Sequence, residues 1–344
     1  MPELFDVMVV GAGPTGLACG IEAARAGLSH LIVEKGCLVN SLFSYPANMT
    51  FFTSRELLEI GDLPLPSINV KPTRAEALEY YRRVAESFQL PVHYHERVIA
   101  IRKTPSGTPS KAAEGFSVET ESPEGKHQVY GARHVILATG YYDLPNMLGI
   151  PGEELPKVSH YAREGHEYFR QRVAVIGGAN SAAVTALDLY RHGADVTLIY
   201  RGRELSRHVK YWIKPDIENR IKAKSIRAMF ESEVKEIGPD WILVQSAAGE
   251  TIRIGNDFVF ALVGYHPDVD LLRAAGITVD PKSFRPKLNP DTLESNVPGL
   301  YVAGVVVSGL QTNEIFIENG RFHGKQIIGA IKLKTSSGIQ AKSM

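Results

Sequence analysis

The feature that most constrains this chain is a glycine turn that occurs twice. Phe5-Asp6-Val7-Met8-Val9-Val10, an apolar run of strand-forming residues, leads into Gly11-Ala12-Gly13-Pro14-Thr15-Gly16, and a helical pattern follows. Strand, glycine turn and helix in that order make a dinucleotide-binding fingerprint. The first glycine permits the tight turn, the second lets backbone approach a pyrophosphate, and the third lets helix and strand pack closely. Phosphates then lie at the positive end of the helix, where backbone N–H groups lack partners. Arg172-Val173-Ala174-Val175-Ile176 leads in the same way into Gly177-Gly178-Ala179-Asn180-Ser181-Ala182. With Gly177 laid on Gly11, Gly27 falls on Gly193 and Glu34 on Tyr200, so both units keep 23 residues from first glycine to strand end. Two βαβ units in register over that length predict an α/β chain with two nested dinucleotide-binding domains.

The two strand ends differ in charge. Glu34 can accept hydrogen bonds from a ribose diol, which suits the adenosine half of FAD or NAD. The matching place in the second unit holds Tyr200, Arg201, Gly202 and Arg203, with no carboxylate. A pair of guanidinium groups there suits a 2′-phosphate, so the second site is expected to prefer NADPH to NADH.

Composition adds exclusions. Of 344 residues, 44% are hydrophobic, and 38 basic side chains balance 38 acidic ones. A net charge of +0 gives no electrostatic reason to expect nucleic acid or an anionic membrane as partner. Pro2-Glu3 runs directly into the first strand, so no secretory signal is expected, and no apolar run approaches the length of a membrane span. Cys19 and Cys37 form neither a disulfide framework nor a Cys-x-x-Cys pair, which makes a reducing cytoplasm the expected compartment.

Along the chain, Leu17 to Ala26 reads as the first phosphate-facing helix, ended by Gly27. The aromatic stretch Ser41 to Thr53 fits either a lining for a flavin ring or an ordinary hydrophobic connection. Arg74 to Phe88 has helical spacing. Val98–Ile101, Phe116–Thr120 and His127–Tyr130 read as three strands, with an exposed, mobile loop over residues 104–114. His93 and His95 are expected to share one face of a strand, with nothing nearby to complete a metal set. Val135-Ile136-Leu137 reads as a separate buried strand ending in Ala138-Thr139-Gly140, and Phe258 to Tyr265 repeats it in the second unit. The spacing of about 166 residues between the two motifs leaves room for an extra three-strand layer in the first unit. Pro145, Pro151 and Pro156 mark the crossover, which gives a first domain of residues 1–153 plus 266–344 and a second of 154–265. Leu300 to Gly304 reads as one more buried strand, Thr312 to Ile331 largely as a closing helix, and the tail from Lys332 as frayed.

These motifs together resemble the thioredoxin-reductase-type flavoproteins, and in detail the bacillithiol-disulfide reductases. The matching stretches include Thr50-Phe51-Phe52-Thr53-Ser54, Ala138-Thr139-Gly140-Tyr141-Tyr142, Tyr200-Arg201-Gly202, Gly264-Tyr265-His266-Pro267-Asp268, and Ile315-Phe316-Ile317-Glu318-Asn319-Gly320 followed by Phe322-His323-Gly324. The resemblance implies two nested Rossmann-like domains and an FAD-containing, NADPH-dependent reductase of a low-molecular-weight thiol disulfide, bacillithiol disulfide or a bacilliredoxin-linked one. FAD then takes the first turn through Gly11, Gly13, Pro14, Thr15 and Gly16. Glu34 and Lys35 stand at its adenosine end, Ala138, Thr139 and Gly140 beside it, and Gly304, Glu314 and Ile315 toward the flavin. A helix starting near Thr312 is expected to stabilise the charge of reduced flavin. NADPH takes the second turn through Gly177, Ala179, Asn180, Ser181, Ala182, Arg201 and Arg203. The expected partner is a small-molecule disulfide or a small redox protein, and the chain is expected to form a homo-oligomer.

Three departures qualify the resemblance. Thioredoxin reductases proper carry a Cys-x-x-Cys in the nucleotide domain, and this chain has none. Where many of them end a strand in Ala-Gly-Asp, this chain has Ala303-Gly304-Val305. Bacillithiol-type relatives often place a cysteine inside the first glycine turn, where Thr15 stands here. A threonine hydroxyl forms no mixed disulfide. No residue stands out as a protein-borne acid, base or nucleophile. The alternative is therefore an NADPH-dependent reductase of ferredoxin, a quinone or free flavin, with no thiol step.

Overall fold

The computed structural model describes residues 4–104 and 115–342, so the expectation of a mobile loop at 104–114 falls almost wholly outside the described residues. The chain divides into two compact units, residues 1–44, 49–144 and 265–344 in one, and residues 45–48 and 145–264 in the other.

In the first unit, β1 (Leu4–Val10), α1 (Pro14–Arg25) and β2 (His30–Val33) form the first βαβ motif. They are followed by α2 (Asn40–Phe43), α3 (Arg74–Ser87), β3 (Val92–His93), β4 (Arg97–Thr104), β5 (Gly115–Glu121) and β6 (His127–Leu137). The two strands expected at His127–Tyr130 and Val135–Leu137 are one. Residues 127–132 of β6 pair antiparallel with β5, and its second half pairs parallel with β1 through Val135↔Met8 and Leu137↔Val10. Gly131 and Ala132 lie at the changeover and pair on both sides, with β5 and with β1. Their small side chains leave no break in the backbone ladder, so the antiparallel layer and the parallel sheet share a strand. The first core alternates along that sheet: Met8, Val10, Leu31, Val33, Val135 and Leu137 all face one side and are buried. His93 ends its strand and His95 takes a left-handed φ of 56°, so the two histidines do not share a strand face.

The second unit holds β7 (Val158–Ser159), β8 (Arg172–Ile176), α4 (Asn180–Arg191), β9 (Asp195–Ile199), α5 (Lys214–Lys222), β10 (Arg227–Met229), β11 (Ser232–Ile237), β12 (Trp241–Ser246), β13 (Thr251–Gly255) and β14 (Phe258–Ala261). Five parallel strands run in the order β10-β9-β8-β14-β7, and β11-β12-β13 form a separate antiparallel sheet. The three-strand layer expected in the first unit is there as β4, β5 and β6, and the second unit has one as well. Period-two alternation in β8 explains the two cores it serves. Val173 and Val175 point to α4 with Leu187 and Leu198, while Ala174 and Ile176 meet Val234, Ile242 and Val244 of the antiparallel sheet.

The chain then adds α6 (Val269–Ala274), β15 (Leu300–Val302), α7 (Ile317–Gly320) and α8 (His323–Lys342) to the first unit. β15 lies beside the second half of β6, with Leu300↔Val135. The single closing helix expected over Thr312–Ile331 is instead one turn, a break at Arg321 and Phe322, and a long helix. Asn319 explains the late start. Its Oδ1 accepts the Phe316 N–H at 2.8 Å and its Nδ2 donates to the Glu314 carbonyl at 2.8 Å, which competes with helical pairing. The tail expected to fray beyond Lys332 continues as α8.

The βαβ motifs superpose in register: α1 spans 14–25 and α4 spans 180–191, an offset of 166 residues throughout. A Cβ on Gly11 would sit 2.5 Å from the Ala138 carbonyl oxygen, and one on Gly177 would sit 2.5 Å from that of Leu262. Each turn therefore presses its backbone against the strand beyond it. Gly16 presses on the Gly11 carbonyl, whereas Ala182 has room in the second unit, 3.2 Å from the same probe on Gly177. Gly16→Ala should cost about 1–3 kcal/mol by overpacking, read as a lower urea midpoint at unchanged slope. Ala182→Gly should cost only about 1 kcal/mol through helix propensity.

Candidate functional site

The helices α1 and α4 both begin without a side-chain cap, and both follow a glycine turn. α3 opens with a full capping box, in which Thr73 Oγ1 accepts the Glu76 N–H and Glu76 accepts the Thr73 N–H. α1 has Gly13 at the capping position with Pro14 next, and α4 has Ala179; neither has a side-chain cap. Among the described residues, nothing accepts from Thr15 and Gly16 in α1, or from Asn180, Ser181 and Ala182 in α4. Orphan N–H groups at a helix N-terminus fit a pyrophosphate. Gly13 leaves the space for one, since a Cβ there would meet nothing within 4 Å. The residues present fit one dinucleotide at each turn.

The strand ends show how the turns differ. Glu34 is 6% exposed, and its Oε2 accepts the Ala12 N–H while Oε1 accepts the Gly36 N–H, both at 2.8 Å. Burial raises its pKa; the two N–H groups oppose that, Asp143 adds to it and Lys35 lowers it. A carboxylate offers about four lone-pair sites, so two remain for a diol. Lys35 pairs with Asp143 at 2.9 Å, tying the end of β2 to the segment after Gly140. In the second unit Tyr200 replaces the carboxylate, and its ring lies over Gly178 and Gly202. That is why Ala12 and Gly13 correspond to Gly178 and Ala179: the residue beneath the tyrosine must be glycine. Arg201 and Arg203 are exposed. Arg203 Nε donates to Glu231 at 3.1 Å, and the pKa of Glu233 is lowered mainly by its hydrogen bond to Lys235 and further by Arg201. Asn180 Oδ1 accepts the Lys210 N–H and the Gly178 carbonyl accepts the Ser206 N–H, folding residues 206–210 back beside the turn.

Ala138 N–H donates to Val10 and Ala303 N–H to Leu137, so three strand ends meet beside the first turn. Gly304, with φ of 75°, and Gly320 both pack on Thr15; a Cβ on either would lie 3.1 or 3.0 Å from Thr15 Oγ1. Thr139 and Gly140 follow Ala138, and Gly140 has φ of 70°. Glu314 is turned to Arg285, which holds both carboxylate oxygens at 2.6 Å. Ile315 is half-buried, with its Cγ2 against Gly320. No long helix starts at Thr312, so the expected dipole of such a helix at the flavin is corrected. Asn319 and His323 were not assigned roles from sequence. Both lie within motifs already singled out, and only coordinates reveal that their side chains bond backbone.

A segment of residues 8–304 matches the family described as pyridine nucleotide-disulphide oxidoreductase. The chain belongs to that family. It is an oxidoreductase enzyme with FAD and NADPH as cofactors. It is 44% identical over 324 residues to the bacilliredoxin reductase Bdr of Bacillus subtilis strain 168, covering 94% of this chain and 96% of that one. The bacillithiol disulfide reductase Bdr (YpdA) from Bacillus cereus superposes with a TM-score of 0.92 at 43% identity, over 96% of this chain and 100% of that chain. The Staphylococcus aureus bacillithiol disulfide reductase Bdr (YpdA) gives 0.89 at 39%, over 96% and 99%. The resemblance read from the motifs is borne out along nearly the whole chain. Among the described residues, no helix is long and apolar enough to cross a membrane.

Thr15→Cys should keep bound flavin, because the two glycines that face the side chain accept a sulfur where the hydroxyl stands. The ratio of visible flavin absorbance to protein absorbance checks this, and a fall below half of the unsubstituted protein's ratio would contradict it.

Proposed function

We propose that the first unit holds FAD, that the second holds NADPH, and that electrons pass from NADPH through the flavin to a low-molecular-weight thiol disulfide, bacillithiol disulfide or a bacilliredoxin-linked one. One observation carries the reading: an acid-ended and a base-ended nucleotide turn occur in a chain that matches a bacilliredoxin reductase over 96% of its length. When bound, FAD supplies the two-electron chemistry. The hydride of NADPH and one proton reduce the S–S bond to two thiols. This chain's residues supply the rest. Orphan N–H groups of α1 and α4 receive the pyrophosphates, Glu34 takes the ribose diol, and Arg201 with Arg203 take the 2′-phosphate. Arg203 exchanges Glu231 for that phosphate.

Neither cysteine serves as a relay in this reading. Cys19 is 0% exposed, and burial pushes its pKa up to about 12. Cys37 is half-buried, its pKa is also raised by burial, and its thiol faces Asn40 Oδ1 at 3.5 Å. The acceptor disulfide is thus reduced without a mixed disulfide to this chain. A reducing cytoplasm is the compartment that suits such an acceptor.

NADPH oxidation followed with bacillithiol disulfide, a bacilliredoxin-coupled system, ferredoxin and a quinone should show turnover with the disulfide-linked acceptors. Brisk ferredoxin turnover with none of the disulfide would reject the reading. The Cys19→Ala, Cys37→Ser double variant should keep more than half of the disulfide-reductase rate. Replacing Arg201 and Arg203 with Ala should raise KM for NADPH by roughly tenfold or more, the worth of one to two charge-assisted hydrogen bonds. KM for NADH should barely move; equal effects on both would exclude the 2′-phosphate role.

A further inference from the structure

His323, the first residue of α8, bonds a backbone group of the first nucleotide site. Its Nδ1 accepts the N–H of Gly304 at 2.9 Å. The peptide before it is held as well, since the Ala303 N–H donates to Leu137. The same glycine rests on Thr15, whose N–H is one of the orphan donors of α1, and Gly320 closes on Thr15 from α7. Behind the ring, Gly324 lies directly on Ala18 and Cys19 of α1. The histidine thus links the end of β15, the start of α8 and the phosphate-facing end of α1.

We propose that His323 is a positioning residue for FAD, whose neutral ring holds the Gly304 peptide over the first turn and so couples flavin retention to the protonation of this ring. An N–H donor can be held only by an unprotonated Nδ1; in the neutral ring Nε2 then carries the proton. Protonation turns Nδ1 into a donor facing a donor, and the bond is lost. Burial lowers the pKa of His323 below its ordinary 6.5, and it is the one contribution to that shift. Titratable groups also stand on the elements around it, Tyr301 of β15 among them, its pKa raised by burial. On α1 these are Cys19, held neutral by burial, with Glu22 and Arg25 in the later turns. On α7 and its junction they are Glu318 and Arg321, the latter donating to the Glu56 and Glu59 carbonyls, and on α8 itself the exposed Lys325. The sign follows from the lowered pKa: the contribution is complete above 6.5 and is lost as pH falls through the lower folded-state value.

The inference rests on FAD occupying the first turn, and the test separates the two. The flavin-loaded protein is taken from neutral pH to well below 6.5 while free FAD fluorescence is followed, beside His323→Asn and His323→Leu. Asparagine places an oxygen acceptor where Nδ1 stands and does not protonate in this range. The unsubstituted protein should release flavin in a step below 6.5, and His323→Asn should hold its flavin through that step. His323→Leu, which keeps volume without an acceptor, should bind FAD about tenfold more weakly at neutral pH, the usual worth of one such hydrogen bond. Far-ultraviolet circular dichroism at each pH confirms that the variants are folded. An acid step in His323→Asn identical to that of the unsubstituted protein would overturn the inference, as would wild-type affinity in a folded His323→Leu. An unsubstituted protein that binds no FAD would overturn the assignment of the site itself, and the inference with it.

Discussion

One close backbone approach in each unit governs what is built around the glycine turn. Gly11 lies against the Ala138 carbonyl and Gly177 against that of Leu262, with no room for a side chain between turn and neighbouring strand. That approach seats the turn against the neighbouring strand and leaves the first N–H groups of the following helix without acceptors. A residue with a Cβ would push the turn away, and the helix would no longer present those groups at one point. The phosphate geometry is thus a consequence of packing at two glycines, with both left-handed φ values, 106° and 139°, accessible only to that residue type without strain.

From that common plan the two units diverge at matched positions. A carboxylate at Glu34 needs a backbone N–H to hold it, and Ala12 gives one while carrying its own methyl group into the core. A phenol ring at Tyr200 needs a flat bed, and Gly178 and Gly202 provide it. The difference between Gly-Ala-Gly and Gly-Gly-Ala in the two turns therefore follows from the residue that ends the second strand of each motif. Turn sequence and strand-end residue are one choice made at two positions.

Both βαβ motifs were legible because glycine and strand periodicity act locally, and each appears as a short run of neighbouring residues. The architecture beyond them was less so. His127 to Leu137 reads as two segments because Gly131 and Ala132 interrupt its apolar pattern, yet small residues suit a strand paired on both edges. Ser232 to Gly255 alternates over short strands that gain their hydrophobic face only against Ile176 and Val259 of the parallel sheet. The late start of α7 depends on an asparagine side chain bonding backbone on either side of Ile315, and the His323 bond joins residues 19 apart in sequence. Such contacts follow from tertiary placement, which propensity and periodicity do not encode. The charges of Glu34, Arg201 and Arg203 stand at matched places that could be read from sequence because those places are fixed by the strand ends.

The shared strand β6 also sets an order of assembly. Its first half belongs to a local hairpin with β5, closed by the turn at Gly125, while its second half waits for β1 and for β15, which arrives more than 150 residues later. Local hairpins form early because little chain entropy is lost in closing them. Side chains alternate along a continuous strand, so the hairpin's register decides which face Val135 and Leu137 present to the nucleotide sheet. The antiparallel layer is in that sense the template on which the parallel sheet is laid down.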